Sequence, residues 1–331
     1  MSRSGKKVLS EKEEINLYTT PMQRTFKKGI FDRYDGWRVR NVDAVFNIIP
    51  YILRTRVDAQ NFVTEDFETD HLKDFIAEHQ KDIPGLSRMH VVLAALVRMF
   101  SQRPYLNRFV IWNKLFSRNT ISIAIAVKRS LTDKGEETLI KPEFEPTDTL
   151  ADVARKLQEE YELKVKSEEK NGSDKTSKFF GYFPDCVIRF FAFLMRWSDN
   201  LGFLPKSIER ISPWHCSLFF TNVGSIGTPA IYHHLYEFGT CTIFVAMGRV
   251  KALNHVESDG SLSTKKIMSL KFVMDERVCD GHYYATGLRL LHQYILKPEK
   301  LLVPPEKVEI DDGVGKPVWI HPGDLLKNEG E

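Results

Sequence analysis

The stretch that most constrains this 331-residue chain is KIMSLKFVMDERVCDGHYYATGLRLLHQY, which opens at Lys266. It reads as an apolar strand, a polar turn Asp-Glu-Arg-Val-Cys-Asp-Gly over 275–281, and a helix. Any fold for the chain must therefore set Glu276 and Asp280 where a strand hands over to a helix.

Composition sets the outer bounds. At 42% apolar and 27% charged residues, the chain can bury a full core near the upper size of a single domain. Its 47 basic and 44 acidic residues leave a formal charge of +3, too little for a global field. Nucleic acid is not expected as a partner, and anionic lipid would need a local patch. Cys186, Cys216, Cys241 and Cys279 are scattered without a C-x-x-C pair, which predicts free thiols in a reducing compartment rather than a zinc site. No apolar stretch follows MSRSGKKVLSEKEE, so no signal peptide is expected, and a cytoplasmic location is.

Along the chain, residues 1–36 read as a polar, basic arm, 37–297 as the core, and 298–331 as a tail laid over the surface. Tyr51 to Glu68 reads as a half-buried strand, followed by a helical run DHLKDFIAEHQKD. MHVVLAALVRMFSQRP is an apolar helix, and FVIWNKLFSRNTISIAIAVKRS reads as two strands joined by a polar turn. A helix is predicted from Thr149 to about Lys166. The core carries an insertion at about 167–210, a charged loop and then the phenylalanine-rich run FFGYFPDCVIRFFAFLMRWSDNLGFL at 179–204. Pro184, Asp185, Arg189 and Arg196 interrupt that run, so it does not reach the ~20 apolar residues of a membrane span. A helix buried against the sheet or at a subunit contact is one reading; contact with a membrane surface, or the wall of an acyl-chain site, is the other. CSLFFTNVGSIG and FGTCTIFVAMGRV read as core strands.

Two segments carry a family resemblance. FVMDERVCDGHYYATGLRLLHQY resembles the active-site stretch of the chloramphenicol acetyltransferases and the dihydrolipoyl acyltransferase cores of the 2-oxoacid dehydrogenases, whose motif is His-x-x-x-Asp-Gly. FFTNVGSIG is similar to the family's Ser-Asn-x-Gly-Ser-x-Gly stretch and precedes the motif at the family's distance. The resemblance spans roughly Arg38 to Leu296 and implies an α/β two-layer sandwich of a mixed sheet with helices. It also implies a homotrimer with the active-site channel between subunits and coenzyme A or acyl-CoA as substrate.

Carried over residue by residue, Glu276 stands at the general base, in place of the histidine, and Asp280 at the aspartate that pairs with an arginine, for which Arg38 and Arg40 are candidates. Gly281 falls at the tight turn, and Thr221 where a serine hydroxyl would steady the oxyanion. A thiol near ~8.5 passes its proton to an ordinary histidine uphill by ~2 pKa units and to an ordinary glutamate by ~4, about a hundredfold difference in driving force. Burial beside Asp275 and Asp280 would erase that difference, whereas pairing with Arg277 would give Glu276 a structural role. His233, His234 and His282 are alternative bases, although YHHLYEFG has Phe238 where a His-His-x-x-x-Asp-Gly frame needs aspartate. His215 reads as a core histidine.

No cluster has metal-ligand spacing, and no lipoyl-bearing segment or Ala/Pro linker is visible. Acyl transfer from acyl-CoA to an apolar acceptor, small or borne by a partner, is thus one expectation. A catalytically degenerate trimer acting as a binding or scaffold protein is the other.

Overall fold

The computed structural model describes residues 32–128, 137–166, 183–311, 313 and 318–320. Most of the expected arm, the loop at 167–178 and the end of the expected tail lie outside them. In chain order the elements are β1 (Gly36–Arg38), α1 (Ala44–Ile52), β2 (Gln60–Glu68), α2 (Asp70–His79), α3 (Arg88–Gln102), β3 (Arg108–Ile111), β4 (Lys114–Arg118), β5 (Ile121–Lys128), β6 (Glu137–Ile140), β7 (Glu143–Phe144), α4 (Leu150–Tyr161), α5 (Asp185–Asn200), α6 (Lys206–Ile211), β8 (Leu218–Asn222), β9 (Ile243–Val256), β10 (Leu262–Asp275), α7 (Gly281–Leu296), β11 (Val308–Ile310) and β12 (Val318–Ile320).

A seven-stranded mixed sheet forms the centre, in the order β2-β10-β9-β8-β5-β6, with β7 paired to the start of β5. β5, β8 and β9 run parallel, β10 returns antiparallel to β9, and β2 pairs antiparallel with β10. Apolar residues on both faces of β5, β8 and β9 follow from this central place, because parallel strands are covered on each side. One face packs on α3, whose residues Val91 to Ser101 are all buried, and on α2, α4 and α7. The other carries a smaller cluster, including Phe219, Phe244 and Val273, under the segment 228–240. The expected two-layer α/β sandwich is the observed architecture.

Four expectations change. Tyr51 and Ile52 end helix α1, and the strand starts only at Gln60. The stretch expected to hold two strands holds three, because Trp112 and Asn113 take left-handed φ values of 47° and 58° and fold β3 onto β4. β1, β4 and β3 make a separate small sheet. The segment after α7 is no surface tail where it is described: Leu301, Val308 and Ile310 are buried, and Arg98 donates to the Val303 carbonyl at 2.7 Å. Lastly, α5 is not buried against the sheet; Phe190, Phe193 and Trp197 are 58%, 62% and 50% exposed.

Candidate active site

The turn after β10 is organised by a buried carboxylate. Asp275 is fully buried, and Arg277 forks onto it, Nε to Oδ1 at 2.8 Å and Nη2 to Oδ2 at 2.7 Å. Arg56 Nε lies 3.6 Å from the second oxygen, while its Nη groups donate to the Tyr236 and Gly239 carbonyls. Burial opposes the Arg277 charge, but the pair with Asp275 outweighs it and holds the guanidinium above its usual range. The Tyr284 hydroxyl donates to the Asp275 carbonyl at 2.7 Å, and burial pushes that phenol well up.

Glu276 sits half-buried on this frame. Its N–H donates to the Ala59 carbonyl at 2.9 Å, and its Oε2 accepts from the Asn61 amide at 3.0 Å. Arg277 is spent on Asp275, so the expected alternative of a Glu276–Arg277 pair is not formed. The two flanking carboxylates are not gathered around Glu276 either: Asp275 faces its arginines, and Asp280 is exposed at the start of α7.

The expected pairing of Asp280 with Arg38 or Arg40 is corrected. Asp280 is the N-cap of α7, its Oδ1 accepting from Tyr283 N–H at 2.8 Å. A carboxylate in that position satisfies helix N–H groups that lack internal partners and needs no cation. Arg38 and Arg40 lie by β1, where the Arg38 N–H donates to Asp32 at 2.9 Å and Arg40 stands 3.8 Å from the same carboxylate. Gly281 is also not the tight turn. It is the first residue of α7, and a Cβ there would meet open space. It borders a cavity of about 520 Å³ between β2 and α7, with Asn61, Phe62, Tyr284 and His292.

Thr221 lies elsewhere, at the carboxyl ends of the parallel strands β5 and β8, the customary place for ligands in open α/β sheets. The TNVGSIG segment takes this shape through its glycines. A Cβ on Gly224 would stand 2.6 Å from the Gly248 carbonyl oxygen, and Gly227 adopts φ +77° to end a short turn. A cavity of about 680 Å³ opens here. Apolar walls such as Ile125, Leu157, Phe219 and Phe244 surround polar groups that include Thr221, Asn222, His90 and His233.

His90 has no place in the sequence reading, and the structure brings it to Thr221's cavity. It caps α3 reciprocally with Ser87, whose N–H donates to Nδ1 at 3.1 Å. Nδ1 is then an acceptor, so the neutral ring carries its proton on Nε2. Desolvation lowers the ring's pKa and favours that neutral form. The one sequence signal was Ser-x-x-His at the head of an apolar helix, a variant of the usual Ser-x-x-Glu box.

Of the expected alternative bases, His233 stacks on Phe244 at 4.2 Å and borders the cavity, while His234 is exposed and stacks on His233. His282 is exposed in the first turn of α7. His215 is buried, held by the Ser212 hydroxyl at 2.7 Å and Asp199 at 3.1 Å. Thr221 and Glu276 do not meet within one chain. Thr221 pairs with Ala246 and Ala246 with Lys271, which leaves Glu276 five residues further on, just past the end of β10, roughly 17 Å along the strand and about 10 Å across the sheet. Among the described residues no group of three or more His, Cys, Asp or Glu side chains is disposed to hold a metal ion.

Comparison with known proteins bears out the resemblance. Residues 216–303 match the model of the 2-oxoacid dehydrogenases acyltransferase (catalytic domain) family, a span that contains both FFTNVGSIG and DERVCDG. No curated protein sequence matches the chain. Among solved structures, a probable dihydrolipoamide acetyltransferase from Listeria monocytogenes 4b F2365 is similar at 13% identity, covering 78% of this chain and 94% of that one, with a TM-score of 0.48. The cubic core of a pyruvate dehydrogenase multienzyme complex is similar at 13% identity, with 78% and 89% covered and a TM-score of 0.49. A chloramphenicol acetyltransferase is similar at 12% identity, with 81% and 100% covered and a TM-score of 0.47.

Proposed function

We propose that this protein, whose residues 216–303 match the acyltransferase catalytic-domain family, transfers an acyl group from acyl-CoA to an apolar acceptor. The observation that carries the reading is Thr221, a hydroxyl on the matched segment, bordering an apolar cavity at the ends of two parallel strands. The acceptor's thiol or hydroxyl attacks the thioester carbon, and its proton passes to a base. Thr221 and the Nε2–H of His90 donate to the oxyanion. Collapse of the tetrahedral intermediate expels the CoA thiolate, which takes the proton back from the base.

Glu276 is the base in this reading. Because it and Thr221 stand far apart in one chain, the reading requires a homotrimer in which Glu276 of one subunit faces Thr221 of the next. Asp280 serves as the helix cap that fixes the turn, and the protein works in the cytoplasm. His233 is the substitute base if Glu276 is not used, since it already borders the cavity. The second reading, a catalytically degenerate trimer that binds a thioester or a partner, is favoured by one observation: the Glu276 carboxylate is engaged by Asn61.

Thermal unfolding with and without CoA and acetyl-CoA tests the reading. Ligand at a hundred times its dissociation constant adds about 2.7 kcal/mol of stability, a visible rise in midpoint. Glu276→His should then raise thioester cleavage. No midpoint shift at millimolar ligand, together with no gain from a folded Glu276→His variant over a panel of acyl-CoAs, would discard acyl transfer and leave the binding role.

A further inference from the structure

Helix α5 is inside out for a water-facing surface. Phe190, Phe193, Leu194 and Trp197 recur at i, i+3, i+4 and i+7 and form one exposed stripe. The buried side chain of the helix is Asp199, 2.9 Å from Arg33 and 3.1 Å from His215. A soluble helix turns its apolar stripe inward, so this one is built to meet something apolar. At 16 residues, with arginines at 189 and 196, it is too short and too charged to cross a bilayer.

A cationic recess adjoins the stripe. The carboxyl end of α5, the residues after α1 and the β3–β4 turn meet around a cavity of about 220 Å³ bordered by Arg54, Arg56, Arg196, Arg277 and Trp112. Arg56 and Arg277 are committed to Asp275. The carboxylates at the rim are committed too, Asp199 to Arg33 and His215, and Glu237 to the Arg56 N–H at 2.8 Å. That leaves the exposed Arg54 and Arg196 guanidinium groups, which among the described residues have no carboxylate partner, at the mouth of the recess. Exposed Trp112 stands at its edge, and exposed Tyr51 and Ile52 end the neighbouring α1.

From this geometry we propose that the α5 face is a docking surface for an anionic phospholipid bilayer. Phe190, Phe193, Leu194 and Trp197 enter the headgroup–acyl boundary, and Arg54 and Arg196 take a lipid phosphate. Three observations select lipid over a second copy. The stripe and the unpaired arginines adjoin, which is the pattern of an interfacial helix. A two-fold contact centred on the recess would set the arginine pair against its own like charge. Residues 1–31 hold seven Lys/Arg against three Glu, and Arg33, just after them in sequence, lies beside α5 on Asp199. The proposal is independent of acyl transfer.

The test is sedimentation of the full chain with vesicles of phosphatidylcholine alone and of equal parts phosphatidylcholine and phosphatidylglycerol, at low and high salt, with the mass in solution measured in parallel by light scattering. The parent should bind the anionic vesicles, and bind them less at high salt. R54Q/R196Q, both on exposed side chains, should weaken partition by roughly twenty-five-fold, at about fivefold per charge. F193D/W197D should abolish binding without altering the mass; if it does not fold, the arginine pair carries the test. Three results would overturn the proposal: no vesicle binding by the parent, binding by R54Q/R196Q equal to the parent's, or a smaller particle on F193D/W197D, which would make the stripe a subunit contact.

Discussion

The turn at 275–281 buries a whole negative charge and surrounds it with cations, whereas the cavity beside β8 sets a few neutral polar groups among apolar walls. In the first region Arg277 forks onto Asp275 and Arg56 stands beside the same carboxylate, and the result is a charge-compensated junction between β10 and α7. In the second, Thr221 and His90 border space rather than a partner charge. The turn carries the motif likeness, yet most of its polar groups are occupied in holding it. The groups that face open space, Thr221 and His90, are at the other end of the sheet. A compensated buried charge shapes structure, while a polar group left facing a cavity is available to a substrate.

That contrast can be broken experimentally. The largest effect should come from Asp275→Asn, which leaves Arg277 and Arg56 buried without a counter-charge. We expect a loss of about 3 to 5 kcal/mol in chemical denaturation, and a loss under 1 kcal/mol would show that the turn is not organised by that carboxylate. Thr221→Val should leave stability nearly unchanged while lowering kcat for acyl transfer by about 10²- to 10³-fold. Equal falls in stability and rate would move Thr221 to the structural side of the comparison.

Asp280→Ala should cost about 1 kcal/mol, the worth of an N-cap. A loss of several kcal/mol would restore the arginine-paired role that the motif implies. The smallest effect concerns His90, whose pKa in the folded protein is lowered from 6.5 by burial. Below about 6.5 the unfolded chain takes up this proton before the folded one does, so His90's contribution to stability is present above that pH and is lost as pH falls through it. His90→Gln should flatten the decline in urea midpoint between about pH 7.5 and 5.5. An unchanged slope would mean that burial does not bear on the ring.

Local chemistry made much of this legible. The alternation of KIMSLKFVMDE and the apolar run MHVVLAALVRMF located β10 and α3, because strand and helix periods are written in neighbouring residues. The β3–β4 turn was missed because Trp112-Asn113 lacks the glycine that normally marks left-handed backbone. His90 was missed as a cavity residue because its helix reads as wholly buried, and only the strand ends opposite it create the space.

What the chain's sequence determined by itself was the strand–turn–helix at 266–296, and the resemblance of that stretch and of FFTNVGSIG to the acyltransferases implied the mixed α/β class. Which aspartate needs an arginine was decided by tertiary structure alone. Asp275 and Asp280 are five residues apart and alike in composition, but one ends a central strand and is buried while the other begins a helix and is exposed. The same holds for α5, whose apolar stripe looks like core until the fold turns Asp199 inward and the phenylalanines out. Period and composition are properties of neighbours along the chain; burial and charge compensation depend on residues that only folding brings together.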